Sequence, residues 1–145
     1  MTGILLDSHT LYWLVSEEVE LRGEALVAIG GNQKAGTLFV SPISAWELSI
    51  AAQKKRLAGR PYLGEGPPER WFAETVRATS ARVIPIGQRI SFGAAGVVTE
   101  TGHRDPGDCF LIATARVRGI PIVTRDEVMQ RIAAERPDYL DVLVC

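Results

Sequence analysis

Five short apolar runs, separated by stretches with helical periodicity, constrain the fold more than any other feature of the sequence. They span Gly3–Leu6, Leu38–Ser41, Val83–Ile86, Pro121–Thr124 and Leu140–Val144. Most are continuous rather than alternating, as expected of strands covered by helices on both faces of a parallel sheet. Asp141 interrupts the last run, which suits an edge strand. Between the runs lie helix signals. Leu21, Ala25, Leu26 and Ile29 form one stripe, expected to stop at Gly30-Gly31 because glycine commonly ends helices. Trp71, Phe72, Thr75 and Val76 form a second stripe, and Ile90, Ala94, Val97 and Val98 a third. Ser41-Pro42 and Asp105-Pro106 each pair a capping side chain with a proline suited to the first helical position. This alternation predicts an α/β fold with a mostly parallel sheet. Its right-handed crossovers leave functional groups beyond the carboxyl ends of the strands.

A chain of 145 residues fits a single domain, 1–145, that can bury one core unaided. The stretch Gly59–Pro68, rich in glycine and proline, reads as a surface loop between two helices. A content of 46% hydrophobic and 23% charged residues excludes simple disorder. No apolar run reaches the roughly 18–20 residues of a membrane span, and the N-terminus lacks the pattern of a secretory signal. Cys109 and Cys145, the two cysteines, form neither a disulfide framework nor a zinc motif, so a reducing cytoplasm is expected.

The acids are distributed less evenly than the composition suggests. Asp7 ends the first run and Asp126 follows the fourth, while Asp105 and Asp108 open the helix beginning at Pro106; these are four of six aspartates. Glu47 lies in the helix after the second run. In an open parallel sheet these positions face one crevice. Each has an ordinary structural use: Asp105 suits an N-cap, Asp108 complements a helix dipole, and Asp126 fits a turn or cap. Structure alone does not require their convergence. At about 4 Å and an effective dielectric near 20, each pair of carboxylates repels by about 4 kcal/mol, so such a cluster takes up protons or a cation. All-oxygen ligands select Mg²⁺ or Mn²⁺ over zinc. Such an ion activates water and neutralises a phosphoryl group, which points to phosphodiester hydrolysis.

The segments carrying these acids resemble the motifs of PIN-domain ribonucleases, and more narrowly of VapC-type toxins from type II toxin–antitoxin pairs. Leu5-Leu6-Asp7-Ser8-His9-Thr10-Leu11-Tyr12-Trp13-Leu14 is similar to the first motif, and Ile43-Ser44-Ala45-Trp46-Glu47-Leu48-Ser49-Ile50 to the second. His103-Arg104-Asp105-Pro106-Gly107-Asp108 through Leu111-Ile112-Ala113-Thr114-Ala115 resembles the third, and Ile122-Val123-Thr124-Arg125-Asp126 the fourth. The resemblance covers essentially the whole chain. It implies a three-layer α/β/α domain with a central sheet of about five strands. It also implies a quartet of Asp7, Glu47, Asp108 and Asp126 holding Mg²⁺ or Mn²⁺, with Asp105, Thr124 and Ser8 in support. The implied activity is endonucleolytic hydrolysis of RNA with the sugar 3′-oxygen departing. The implied partners are a second copy of the chain and a cognate VapB-type antitoxin that blocks the cleft. The chain departs from the pattern at Gly107 and Cys109, where the family often carries a bulky residue and an arginine.

Thirteen of the sixteen cations are arginines, which suit bidentate phosphate contacts. Lys54, Lys55 and Arg56, expected to close the helix that carries Glu47, and Arg104 and Arg125, beside motif acids, are the candidate RNA contacts. Trp13, Trp46 and Trp71 sit on helical stripes and read as core. Two other classes suit a cluster of acids at a sheet edge: a phospho-accepting receiver-like domain and a non-catalytic RNA- or partner-binding module. The first needs a lysine after the last strands, and no lysine follows Lys55. With the four quartet acids set apart, sixteen cations face thirteen acids, so the net charge of −1 conceals a mildly basic remainder.

Overall fold

The computed structural model describes residues 3–55 and 58–145. At its centre is strand β1 (Ile4–Leu6), flanked by β2 (Leu38–Val40) on one side and β4 (Ile122–Thr124) on the other. β3 (Arg82–Val83) and β5 (Val142–Val144) form the edges, giving the order β3-β2-β1-β4-β5 with every pairing parallel. Asp141 thus precedes an edge strand, as its polarity suggests. β3 is the shortest strand because Pro85 has no N–H to continue the ladder; Ile84 donates the last bond, to Val40 O at 2.9 Å.

Among the described residues seven helices connect the strands: α1 (Ser8–Ser16), α2 (Gly23–Ala35), α3 (Pro42–Ala52), α4 (Pro68–Thr79), α5 (Gln88–Thr101), α6 (Pro106–Arg118) and α7 (Glu127–Glu135). The continuous apolar strands feed two cores by alternation. Leu5 and Ile122 pack with α5, α6 and α7, while Ile4, Leu6 and Val123 pack with α1, α2 and α4 on the opposite face. The result is the three-layer α/β/α arrangement, and α5 and α6 form its most extensive helix pairing. No helix among the described residues is long and apolar enough to cross a membrane.

Three local expectations need correction. α2 runs through Gly30-Gly31 and ends at Gly36, whose φ of +73° and bonds to Asn32 and Gln33 carbonyls form the C-cap. The two interior glycines cost helix propensity, about 1 kcal/mol each, but burial of Ala25 and Ile29 holds the segment helical, and only Gly36 must adopt the left-handed conformation. Leu26 of that stripe is 45% exposed, whereas Leu21 is buried although it precedes the helix. α3 ends at Ala52, so Lys54 and Lys55 lie just beyond it instead of within its last turn.

A candidate metal centre at the carboxyl edge of the sheet

The strand order reverses direction between β1 and β4, and open parallel sheets place their sites outside the carboxyl ends at such a point. Asp7 leaves β1 there. It is buried, caps α1 by accepting from Thr10 N at 2.8 Å, and accepts the Thr124 hydroxyl on its other oxygen. Thr124 ends β4, and its Oγ1 also accepts from Asp126 N at 3.0 Å. Asp126 in turn caps α7, accepting from Met129 N at 2.8 Å. One hydroxyl therefore ties the acids of two neighbouring strands together.

The other acids arrive on helices. Ser41 caps α3 through Ile43 N at 3.0 Å, and the helix carries Glu47 toward α1, where the Ser8 hydroxyl donates to Glu47 Oε1 at 2.6 Å. Ser44 Oγ lies 2.9 Å from the same hydroxyl. Asp105 caps α6 by accepting from Asp108 N at 2.9 Å. Asp108, in the first turn, meets His103 Nε2 at 2.8 Å through Oδ2.

Glu47, Asp105 and Asp108 each offer an oxygen, and these three atoms lie within 4.8 Å of one another. Burial pushes the Glu47 carboxyl above its ordinary value; the charges of Asp105 and Asp7 add to this, while the Ser8 bond and His9 oppose it. Burial likewise pushes Asp108 up to about 6, with Asp105 and Asp126 reinforcing the rise and His103 opposing it. Acids from both neighbouring strands and from both helices thus feel one another. The donor set fits a hard divalent ion: it is all oxygen, its groups converge, and among the described residues His103 beside Asp108 is the one ion-pair partner of these acids.

The quartet read from the sequence is brought to one edge, with a difference in grouping. Asp105, expected in support, offers an oxygen within 4.8 Å of oxygens of Glu47 and Asp108. Asp7 and Asp126 lie outside that group of three and are joined through Thr124 instead. Thr124 orients Asp7 as well as the backbone of Asp126. Sequence reading missed the bond from His103 to Asp108, because a residue in a loop before a helix cap carries no periodic signal. Cys109, where the pattern often has arginine, is buried and donates its thiol to His103 O at 3.2 Å. It packs the loop that carries His103.

The candidate RNA contacts divide. Lys54, Lys55 and Arg104 are exposed. Arg56 lies outside the described residues. Arg125 does not reach outward: its guanidinium donates to Cys145 O at 2.6 Å and Glu20 O at 3.0 Å, and sits 4.9 Å from the Trp13 ring centre. It holds the edge of the sheet to the segment before α2. Trp46 is 52% exposed, so its expected place in the core is not observed. Trp13 is half-buried and stacks against the exposed His9 at 5.6 Å.

The sequence profile of the PIN domain matches residues 4–135. The chain belongs to the PIN-domain family. Among individual relatives, it is 31% identical over 139 residues to Ribonuclease VapC22 of Mycobacterium tuberculosis (strain ATCC 25618 / H37Rv), covering 94% of this chain and 97% of that protein. In fold it is similar to a chain of DNA-bound VapBC from Salmonella typhimurium, with a TM-score of 0.63 at 19% identity, covering 99% of this chain and 98% of that one. VapBC2 from Rickettsia felis, bound to a DNA fragment from its promoter, gives a TM-score of 0.68 at 13% identity over the same shares.

Proposed function

We propose that this chain is a metal-dependent endoribonuclease and the toxin of a type II toxin–antitoxin pair, acting in the cytoplasm. The observation that carries the reading is the meeting of Asp7, Glu47, Asp105, Asp108 and Asp126 at one sheet edge, with oxygens of Glu47, Asp105 and Asp108 within 4.8 Å of one another. The name of the curated relative supports a ribonuclease, and the VapBC complexes support an antitoxin as partner. A second copy of the chain is the remaining expected partner.

Glu47, Asp105 and Asp108 would hold Mg²⁺ or Mn²⁺, with Asp7 and Asp126 alongside. When bound, such an ion supplies activation of water and charge neutralisation at the phosphoryl group. The protein's own contribution is orientation. Thr124 fixes the rotamer of Asp7, Ser8 fixes that of Glu47, and His103 fixes that of Asp108, so the acids are set before substrate arrives. Lys54, Lys55 and Arg104 suit the RNA backbone. Lys54 also lines a cavity of about 530 Å³ with His9, Trp13 and Arg60, a volume in the range of small-molecule sites.

The test is cleavage of structured RNAs by the purified protein with Mg²⁺ or Mn²⁺. Activity is expected to vanish with EDTA and in Asp7→Asn, a change that keeps the α1 cap but removes the charge. Cleavage that survives both treatments would sink the metal-dependent reading. Metal-dependent RNA affinity without cleavage of any cellular RNA would instead favour a non-catalytic binding module. Sequencing the cut ends after induced expression identifies the target.

A further inference from the structure

We propose that His9 is a stacking platform for a nucleobase of the RNA substrate, seated in the cavity between α1 and α3. The inference rests on the ribonuclease reading above and names a residue that grips a base beside the acids.

His9 lies in the first turn of α1 and is exposed. Its imidazole stacks on Trp13, one turn along the same helix, with ring centres 5.6 Å apart and planes inclined by 30°. Trp13 is no loose surface ring. It packs against the core, and the Arg125 guanidinium over it is tied to the Cys145 and Glu20 carbonyls. His9 therefore rests on a fixed support, and the exposed part of its ring is left for a ligand. Unstacked bases of single-stranded RNA bind to such aromatic faces, and a support already ordered lowers the entropy cost of binding.

The place is also right. His9 follows Ser8, whose hydroxyl donates to Glu47, and Leu48 follows Glu47; His9 and Leu48 both line the cavity of about 530 Å³. The cavity thus adjoins the acids, and a base held there belongs to a nucleotide near the phosphate that the acids serve.

The walls carry the charge a nucleotide needs. Lys54 and Arg60 both line the cavity, and Arg60 Nη1 donates to Lys54 O at 3.2 Å, which ties the loop bearing Arg60 to the end of α3. Glu18 is the one acid among the described lining residues, and the Tyr12 hydroxyl donates to it at 2.9 Å. An aromatic ring for the base stands beside cations for the phosphate. A basic side chain from a protein partner would meet like charge here, which favours the anionic ligand.

The experiment measures binding of a fluorescently labelled oligoadenylate, and of an abasic ribose-phosphate chain of equal length, to the full chain in EDTA by anisotropy. Mg²⁺-dependent cleavage is followed in parallel. The wild type should bind the oligoadenylate more tightly. His9→Ala should erase that preference, a loss of roughly fivefold or more, while melting temperature and affinity for the abasic chain stay unchanged. His9→Phe, which keeps a ring without the imidazole nitrogens, should restore the preference. Lys54→Gln with Arg60→Gln should weaken both probes alike. Equal binding of both probes by the wild type, an intact preference in His9→Ala, or a His9→Phe as weak as His9→Ala overturns the proposal. Each of these leaves the ribonuclease reading standing wherever Mg²⁺-dependent cleavage persists. Tighter binding of AMP than of oligoadenylate overturns it in favour of a free-nucleotide site. Binding of an acidic, tryptophan-rich peptide without binding of RNA overturns it in favour of a protein partner. A wild type that neither binds nor cleaves RNA sinks the ribonuclease reading as well.

Discussion

Asp7 and Asp126, at the strand ends, differ from Glu47 and Asp108, on the helices, in how the chain supplies their oxygens with donors. Asp7 receives a backbone N–H on one oxygen and the Thr124 hydroxyl on the other, and Asp126 receives the Met129 N–H. Glu47 has Ser8 and Asp108 has His103, and both carboxyls are pushed upward by burial and by neighbouring acids. The strand-end acids are built into the fold through caps and a buried hydroxyl. The helix-borne acids carry charge that their single partners relieve only in part, which is the condition that favours a cation. One crevice thus combines a half that secures the architecture with a half that is poised for a ligand.

The strongest way to break this comparison is Asp7→Ala. It removes the α1 cap and leaves the buried Thr124 hydroxyl without its acceptor, a combined loss of about 2–4 kcal/mol in urea denaturation. A loss below about 0.5 kcal/mol, typical of a surface substitution, would show that Asp7 does not secure the fold.

Asp108 tests the other half through pH. Its carboxyl in the folded protein titrates at about 6, above the ordinary value of 3.8, so folding favours the protonated form. The stability this contributes is present below about pH 4 and is lost as pH rises through about 6. In EDTA, Asp108→Asn should therefore melt higher than the wild type at pH 7, by an amount on the order of 1–2 kcal/mol after allowance for screening. The advantage should disappear near pH 4. A lower melting temperature at pH 7 would make Asp108 a structural residue like Asp7.

The smallest effect belongs to the exposed cations. Lys54→Gln with Lys55→Gln should leave stability unchanged and flatten the dependence of log RNA affinity on log salt, by about 0.7 for each single-strand phosphate no longer neutralised. An unchanged slope would remove both lysines from the RNA path.

Much of this architecture is legible in the sequence because its signals are local. Ser41-Pro42 and Asp105-Pro106 start α3 and α6 where a cap followed by proline should, and four of the five apolar runs contain their strands whole, while Val83–Ile86 shares only Val83 with β3. The acids can be placed at one edge because strand ends and helix starts share that edge in a parallel sheet. Grouping within the edge is a different matter. That Asp105 joins Glu47 and Asp108 depends on the path of α3 across α6, which no spacing encodes. Arg125 misleads for a related reason: its position beside Asp126 suggests the site, but its long side chain reaches the carbonyls of Glu20 and Cys145. The passage of α2 through Gly30-Gly31 shows burial elsewhere in a helix overriding a local stop signal.

Asp7, Asp105 and Asp126 each serve as the N-cap of the helix that follows. Asparagine caps a helix about as well as aspartate, so at these positions the residue that abolishes charge is also one the architecture tolerates. If these acids serve the proposed metal site, a lineage can lose its chemistry in a single conservative step without losing the protein. Descendants of such a chain could persist as folded, inert copies that still present the original surface to their partners.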